Sequence, residues 1–381
     1  MADPRKVPLD DSVQDRHVPV GDASLSLSAT KSNPTASPEL GKWDLVLQHV
    51  STAWPLEQWR ELTVAIGVSG GCDSMVLAHA VAELSQHRSG RTVVAHFNHG
   101  VRESAASDAA FVKAWADSMG WTCMVGQRPL PSGELPATDE QRLRRARFAF
   151  FRSVVAKSGA RFLALAHHRD DQCETILHQL LRGTGTAGAA GMAWARPLNE
   201  QSLVVRPLLG LSREQLRAAA RARGIQWRED ESNRGLKPHR NWIRHRLLPM
   251  IRERYPAAES ALIAFAEQAR ELHEQTEVAA EMVALRATKQ TEDGGLWLST
   301  KDLKNESDGV LVALLRQQWS HRGWSWQAVD RRHLYQLLRM IREGNPQSWN
   351  LPNQLVAVAE LSGLTVRQTP ATTGLMVEKL S

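Results

Sequence analysis

Three short stretches hold the residue types from which a reaction could be built. In "SGGCDS", Ser69 to Ser74, glycines follow the β-branched apolar run Leu62 to Val68, and Asp73 and Ser74 open a second apolar run with Leu77, Val81 and Leu84 on one helical face. A turn between a buried strand and a helix N-terminus presents unpaired backbone N–H groups and the positive end of the helix dipole, which favours phosphate. No lysine follows the glycines, and Gly67, Gly70 and Gly71 are wrongly spaced for a dinucleotide fingerprint, so the Walker and Rossmann readings both fall. Taken as a bare pattern, the stretch also fits a plain glycine turn with Asp73 or Ser74 as the helix cap. In "HFNHG", His96 and Asn98 share one face of a strand while His99 faces the other way, a poor joint metal site. In "HHRDDQCE", a helix reaching back to His167 would place His167, Asp171 and Glu174 at i, i+4 and i+7 on one stripe. Two carboxylates beside an imidazole could bind a metal or take up a proton from an incoming amine; a helix start dressed with charges is the plainer alternative.

These residues need a frame, and the pattern around them alternates strand and helix. Strands are expected at Leu62 to Val68, Arg91 to Asn98, Trp121 to Val125 and Arg161 to Ala166. Helices are expected at Asp73 to Gln86, at Ser107 to Met119 with its stop at Gly120, from the capping box of Thr138 and Gln141 to Gly159, and at Asp170 to Arg182. A further helix, capped by Ser212 with Gln215, ends at Gly224. Strands separated by helices of this length need right-handed crossovers, so the fold class is α/β, a parallel sheet covered on both faces. The sheet's C-terminal edge is where ligands gather in such folds, and the stripe of His167, Asp171 and Glu174 would converge there.

With 381 residues, the chain has material for more than one core. Residues 1–38 are rich in Pro, Ser, Asp and Lys without sustained period and read as a disordered tail, and 371–381 as a C-terminal tail. Between them the expected organisation is a catalytic domain over 39–255, a helical connector over 256–290 and a small α+β domain over 291–370. Lys and Arg number 47 against 41 Asp and Glu, a net charge of +6 that leans toward an acidic partner such as nucleic acid. Helices of the small domain carry Arg331, Arg332, His333, Arg339 and Arg342, either a solvated face or an RNA contact. Three cysteines without a C-x-x-C pair exclude a zinc knuckle, an iron–sulfur cluster and a disulfide framework, and point to a reducing cytoplasm. No apolar run is long enough for a membrane span.

"SGGCDS" resembles the S-G-G-x-D-S loop of the N-type ATP pyrophosphatases, the PP-loop superfamily, which cleave ATP between the α and β phosphates. The stretch from His96 to Asp108, then "HHRDDQCET" with "LRGTG", are similar to signatures of one family within it, the tRNA(Ile)-lysidine synthases. "ARFAFF", with Phe148 where Tyr is more usual, and "REDESNRGLKPHRNWIR" resemble two more, the latter at Asp230, Ser232, Asn233, Arg240, Asn241, Ile243 and Arg244. The resemblance is dense over residues 60–260 and weaker to residue 368. It implies a HUP-type, adenine nucleotide alpha hydrolase-like domain followed by a helical linker and a small substrate-binding domain, with no room here for the further C-terminal domain that many members carry.

The resemblance also implies the reaction. ATP activates O2 of the wobble cytidine, number 34, in an isoleucine tRNA with a CAU anticodon; the ε-amine of L-lysine then displaces AMP, leaving lysidine and switching decoding from AUG to AUA. Carried over residue by residue, Ser69, Gly70, Gly71, Cys72, Asp73 and Ser74, with His96 and Asn98, would bind the nucleotide, and Asp73 would hold Mg²⁺. Arg147 would meet charge on the transferring group, and His167, Asp171 and Glu174 would orient lysine and accept its proton. Arg240, Asn241 and Arg244 would contact tRNA or lysine, and the basic segments Arg142 to Arg161 and Lys237 to Arg254 would track phosphates. Oligomeric state is left open, a homodimer included. The nearest rival, a PP-loop tRNA thiolase, would need paired or catalytic cysteines, whereas Cys72, Cys123 and Cys173 stand singly. A non-catalytic tRNA-binding protein would not need Asp73, His167, Asp171 and Glu174 intact.

Overall fold

The computed structural model of the chain describes residues 41–86, 89–98, 105–127, 140–229, 239–344, 347–360 and 362–369. Both expected tails, and His99, Thr138, Asp230, Ser232 and Asn233, lie outside them. The first part runs α1 (Lys42–Ala53), β1 (Val64–Gly67), α2 (Cys72–Leu84), β2 (Thr92–Asn98), α3 (Ala105–Ser118), β3 (Thr122–Gln127), α4 (Glu140–Ser158) and β4 (Phe162–Leu165). It continues with α5 (Arg169–Leu181), α6 (Thr186–Ala189), β5 (Ala195–Pro197), β6 (Leu203–Val205) and α7 (Arg213–Arg223). Next come α8 (His239–Trp242), a π-helical turn at Ile243–Leu247, α9 (Leu248–Arg254) and the long α10 (Ala258–Ala287). The rest is β7 (Thr288–Gln290), β8 (Leu296–Ser299), α11 (Thr300–Leu303), α12 (Asp308–His321), α13 (Arg331–Glu343), β9 (Gln347–Leu351), β10 (Leu355–Ala359) and β11 (Gly363–Gln368).

The first sheet has the order β3-β2-β1-β4-β6-β5, parallel except for the edge strand β5. Strand β1 alternates in the way a two-sided core demands: Val64 and Ile66 enter the cluster with α1, α2, α3 and α7, and Ala65 enters the one built on Phe151, Val154 and Val155 of α4. The chain builds outward through β2 and β3 and then returns to lay β4 on the other side of β1, so the strand order reverses between β1 and β4. A crevice at such a reversal is where open α/β sheets bind ligands. Tryptophan supplies much of the first core: Trp54 and Trp59 stack at 4.6 Å between ring centroids, both fully buried, and Trp54 meets the Phe162 ring edge-on.

Several boundaries follow from caps legible in the sequence. Ser212 Oγ accepts from the Gln215 amide while Gln215 Oε1 accepts from that of Ser212, and Gly224 closes α7 with φ 69°, a left-handed conformation that suits glycine. Helix α13 starts at Arg331, where the Asp330 carboxylate caps it through the His333 amide at 2.9 Å. Strands β5, β6 and β7, each three residues long, are too short to leave a period, and β9 mixes polar residues with Trp349.

The second sheet is antiparallel, in the order β7-β8-β11-β10-β9. Leu296, Leu298, Leu364 and Val366 of this sheet pack with Leu314, Leu315 and Trp319 of α12, Leu337 and Ile341 of α13, and Ala280 and Val283 of α10. No helix among the described residues is long and apolar enough to cross a membrane. Trp319, fully buried and edge-on to both Trp324 and Trp326, anchors this core. Trp319→Ala is expected to cost this core about 3–5 kcal/mol. Denaturant unfolding followed by hydrogen exchange should show early opening of α12 and α13 with α2 and β1 still protected; equal loss of protection in both sheets would show that the two cores unfold as one.

Candidate active site

Strand β1 ends at Gly67 and β4 at Leu165, paired residues of the central register, so the segments leaving the two strands emerge at the same level. After β1, Gly70 takes φ 90°, open to glycine and strained for other residues. The loop is laced by Ser74: its Oγ accepts from the Ser69 amide at 3.1 Å and donates to the Gly71 carbonyl at 2.9 Å. Gly71 precedes α2 as its cap residue and supplies no side chain, so Asp73 and Ser74 lie within the first turn and are not its caps. The first-turn amides are thereby left for an anion rather than being closed by a capping side chain.

After β4, the helix does not reach back to His167. Helix α5 starts at Arg169 with His168 at the cap position, its amide donating to Asp171 Oδ2 at 3.2 Å. The expected stripe of His167, Asp171 and Glu174 is therefore corrected: His168 is the histidine that joins the carboxylates. Its ring, 4 % exposed, has Nε2 at 3.5 Å from Asp73 Oδ2 and 3.4 Å from Asp171 Oδ2, and Nδ1 at 3.6 Å from Asp170 Oδ2. Burial opposes the charge, but three carboxylates overcome it and push the His168 pKa up to about 10, an imidazolium at neutral pH. Asp170 also accepts from the Arg213 amide at 2.8 Å and from Arg252 at 2.7 Å; against its burial, these donors and His168 hold it well below the usual carboxylate range.

His167 has the opposite fate. Burial, then the positive charge of Arg206, Arg147 and Arg144, holds its pKa well below the ordinary value, so it stays neutral. Together with Arg147 it lines a cavity of about 250 Å³ whose other walls include Ser69, Gly71 and Asp73 of the loop and Arg213, Arg217 and Arg228. Asp73 Oδ1 is buried there with no hydrogen-bond partner among the described residues. An orphaned carboxylate oxygen beside a phosphate-type loop fits Mg²⁺, which is commonly held by one or two carboxylates and by substrate phosphates. Among the described residues no group of three or more His, Cys, Asp or Glu could hold a metal by itself, so phosphate oxygens would have to complete the shell.

The π-helical turn presents Arg244 to α5. Its Nε and one terminal nitrogen grip Glu174 at 2.5 and 3.0 Å, and the latter also reaches Asp171 at 2.9 Å. Burial raises the Glu174 pKa in spite of this partner. Arg240 and Asn241 lie on α8 just before the turn. His96 is buried with Nδ1 at 2.9 Å from the Val68 carbonyl, which fixes the strand beside the loop, and Asn98 ends β2 half-buried. Cys72 and Cys173 are buried thiols, pushed up to about 12 chiefly by burial. His168, Arg252 and Arg213 were not singled out by sequence; the doubled histidine of "HHRDD" was the available signal for the first.

Residues 48–251 match the family model of the PP-loop domain. Over 347 residues the chain is 33% identical to the tRNA(Ile)-lysidine synthase of Rhodopirellula baltica, an overlap of 81% of this chain and 87% of that one. The chain belongs to the tRNA(Ile)-lysidine synthase family. It is accordingly a PP-loop, ATP-dependent ligase that modifies tRNA. The synthase of Exiguobacterium sibiricum is 43% identical over 52% of this chain, and that of Solibacter usitatus 38% over 73%; the overlaps span 45% and 61% of those longer relatives. In fold, the U34-tRNA thiolase NcsA from Methanococcus maripaludis is similar, with a TM-score of 0.52 at 15% identity over 60% of this chain and 80% of that one.

Within this member of the family, Arg244 and Glu174 form a pair that neither can leave cheaply, because Glu174 is only 7 % exposed. Arg244→Met should lower unfolding free energy by about 3 kcal/mol, and adding Glu174→Gln should restore much of that, since the penalty lies in the stranded charge. Denaturant titration of the two single variants and the double variant measures this; strictly additive losses would show that the pair carries no coupling.

Proposed function

We propose that the chain adenylates O2 of cytidine 34 in CAU-anticodon tRNA(Ile) and then joins free L-lysine to that base, releasing pyrophosphate and AMP. One observation carries the reading: across the β1/β4 crevice, the phosphate-type loop with Asp73 faces a carboxylate cluster of Asp171 and Glu174 suited to an ammonium group. An amide-like O2 is a poor leaving group until it is adenylated, and a lysine amine is no nucleophile until it loses a proton. The two halves of the site address those two obstacles.

On the loop side, the first-turn amides of α2 would take the β and γ phosphates, and Arg147 would stabilise charge on the α phosphate as the bond to pyrophosphate breaks. Mg²⁺ held by Asp73 would supply further neutralisation of the leaving pyrophosphate. On the other side, Asp171 and Glu174 offer carboxylate oxygens toward an incoming ammonium, and His168 and Arg244 hold them in place. His168 then acts as a positioning residue that holds Asp73 and Asp171 at fixed orientations. Asp171 is the more open of the two carboxylates on α5, 22 % against 7 % exposed, and is the better placed to receive the proton of the lysine ammonium. Neutral His167, at the cavity wall, would accept a hydrogen bond without adding charge.

Incubation with isoleucine tRNA transcripts, ATP and labelled lysine tests the assignment. Label is expected on the CAU transcript and is lost when cytidine 34 is replaced. Label that is indifferent to residue 34, or that requires sulfur instead of lysine, would end it. Asp73→Asn should slow pyrophosphate release by about 100-fold or more while tRNA binding persists; wild-type turnover in that variant would remove the loop carboxylate from the chemistry.

A further inference from the structure

Arg144, Arg196 and Arg206, which neighbour His167 or Arg147, have no part assigned in that reaction. Arg144 and Arg147 of α4 and Arg196 of β5 converge on one buried ring, Phe148, with guanidinium carbons 5.6, 5.9 and 5.0 Å from its centroid. Stacking on the ring recovers part of their desolvation, but gathers like charges at close range. Beside them Arg206, 3 % exposed, leaves the end of β6 and donates to the Ala193 carbonyl at 2.5 Å, while its Nε has no hydrogen-bond partner among the described residues. Among the described residues, the side-chain hydrogen bonds of Arg196 and Arg206 go to backbone carbonyls, of Pro197 and Ala193. Burial and the neighbouring guanidiniums hold both below the ordinary arginine range, Arg206 at about 10. A carboxylate would relieve that repulsion at Arg196 and Arg206; among the described residues their side chains meet carbonyls instead, an arrangement suited to an external anion that completes the charge balance. Arg147 and His167 also line the nucleotide cavity, whereas Arg144, Arg196 and Arg206 are not among its lining residues but neighbour His167 or the Phe148 ring that Arg147 meets. The cluster therefore begins where the cavity ends.

We propose that Arg144, Arg196 and Arg206 form a phosphodiester-binding well that takes the RNA backbone phosphate adjoining the base held in the cavity. This rests on the reading of an RNA substrate. Forked, permanently charged guanidiniums match phosphate oxygens, and a phosphate fixed next to the reacting nucleotide would set how far its base enters. The triphosphate of ATP offers the same chemistry, but the loop that suits it lines a cavity to which Arg144, Arg196 and Arg206 contribute no lining.

The test uses the whole protein, an anticodon stem-loop RNA with CAU, and the more accessible variants Arg144→Gln and Arg196→Gln. Each should weaken stem-loop binding about tenfold at low salt and flatten the slope of log K against log salt by about one, with ATP affinity unchanged. A stem-loop with one neutral methylphosphonate linkage beside cytidine 34 should bind wild type weakly yet bind Arg196→Gln as well as unmodified RNA does. Unchanged RNA affinity and slope in both variants would overturn the well. So would additive effects of the linkage and Arg196→Gln, or loss of ATP affinity with RNA binding intact. Wild type that fails to bind the stem-loop removes the RNA reading and the well together, a failure visible before any variant is compared.

Discussion

The pairing of β1 between β2 and β4 is the constraint on which the rest of the site depends. Parallel register sets Gly67 level with Ala95 on one side and Leu165 on the other, so the segments after β1 and β4 leave the sheet at one height beside β2, which runs on to Asn98. A shift of one residue along β4 would turn every side chain of that strand to the opposite face and carry His168 away from Asp73. The apolar strand VAIG, buried on both faces, prevents the slip, because Val64 and Ile66 fit only the α2 side and Ala65 only the α4 side. Core packing thus fixes the 3.5 Å separation between a loop aspartate and a histidine distant in sequence.

From that edge the electrostatics divide. Two adjacent histidines leave β4 and are driven in opposite directions: His168 into a set of carboxylates that keeps it charged, His167 toward arginines that keep it neutral. Neither outcome follows from burial alone, which disfavours charge on both rings; the sign of the neighbours decides. The result is a crevice with an acidic wall suited to an amine and a basic wall suited to phosphates. An adenylating ligase that joins an amine to a nucleic acid needs both, and needs them close enough for one base to face each in turn.

Much of this frame is legible in the sequence because it rests on local rules. Glycines at a strand end, the Ser212 and Gln215 box, Gly224 and the apolar period of α2 each report a boundary within a few residues. What sequence reasoning missed depends on distance. The start of α5 is set by a cap, so extending its period backward misplaced His167 and overlooked His168. The grip of Arg244 on Glu174 and Asp171 spans some 70 residues and depends on a π-helical turn, which a 3.6-residue period does not show. Strands of three residues leave no pattern at all. Family signatures drew attention to Arg244 and the carboxylates as separate residues, and the fold shows that they form one ion-pair network.

That network ties the crevice to α10. Arg252 bridges Asp170, a neighbour of the His168 ring, to Glu259 in the first turn of α10. Three turns further on, Arg270 donates to the carbonyls of Ala190 and Met192, and Gln172 of α5 holds the Met192 backbone from the other side. The next segment, to Ala193, is where Arg206 is anchored. Leu262 and Ile263 pack near Cys173 while Ala280 and Val283 belong to the core of the second sheet, so one helix is shared by both cores. The acidic wall is braced by the start of this helix and the basic wall by its middle. A rigid element that spans both walls keeps their separation fixed while either binds its ligand, which two-step chemistry on a single base requires.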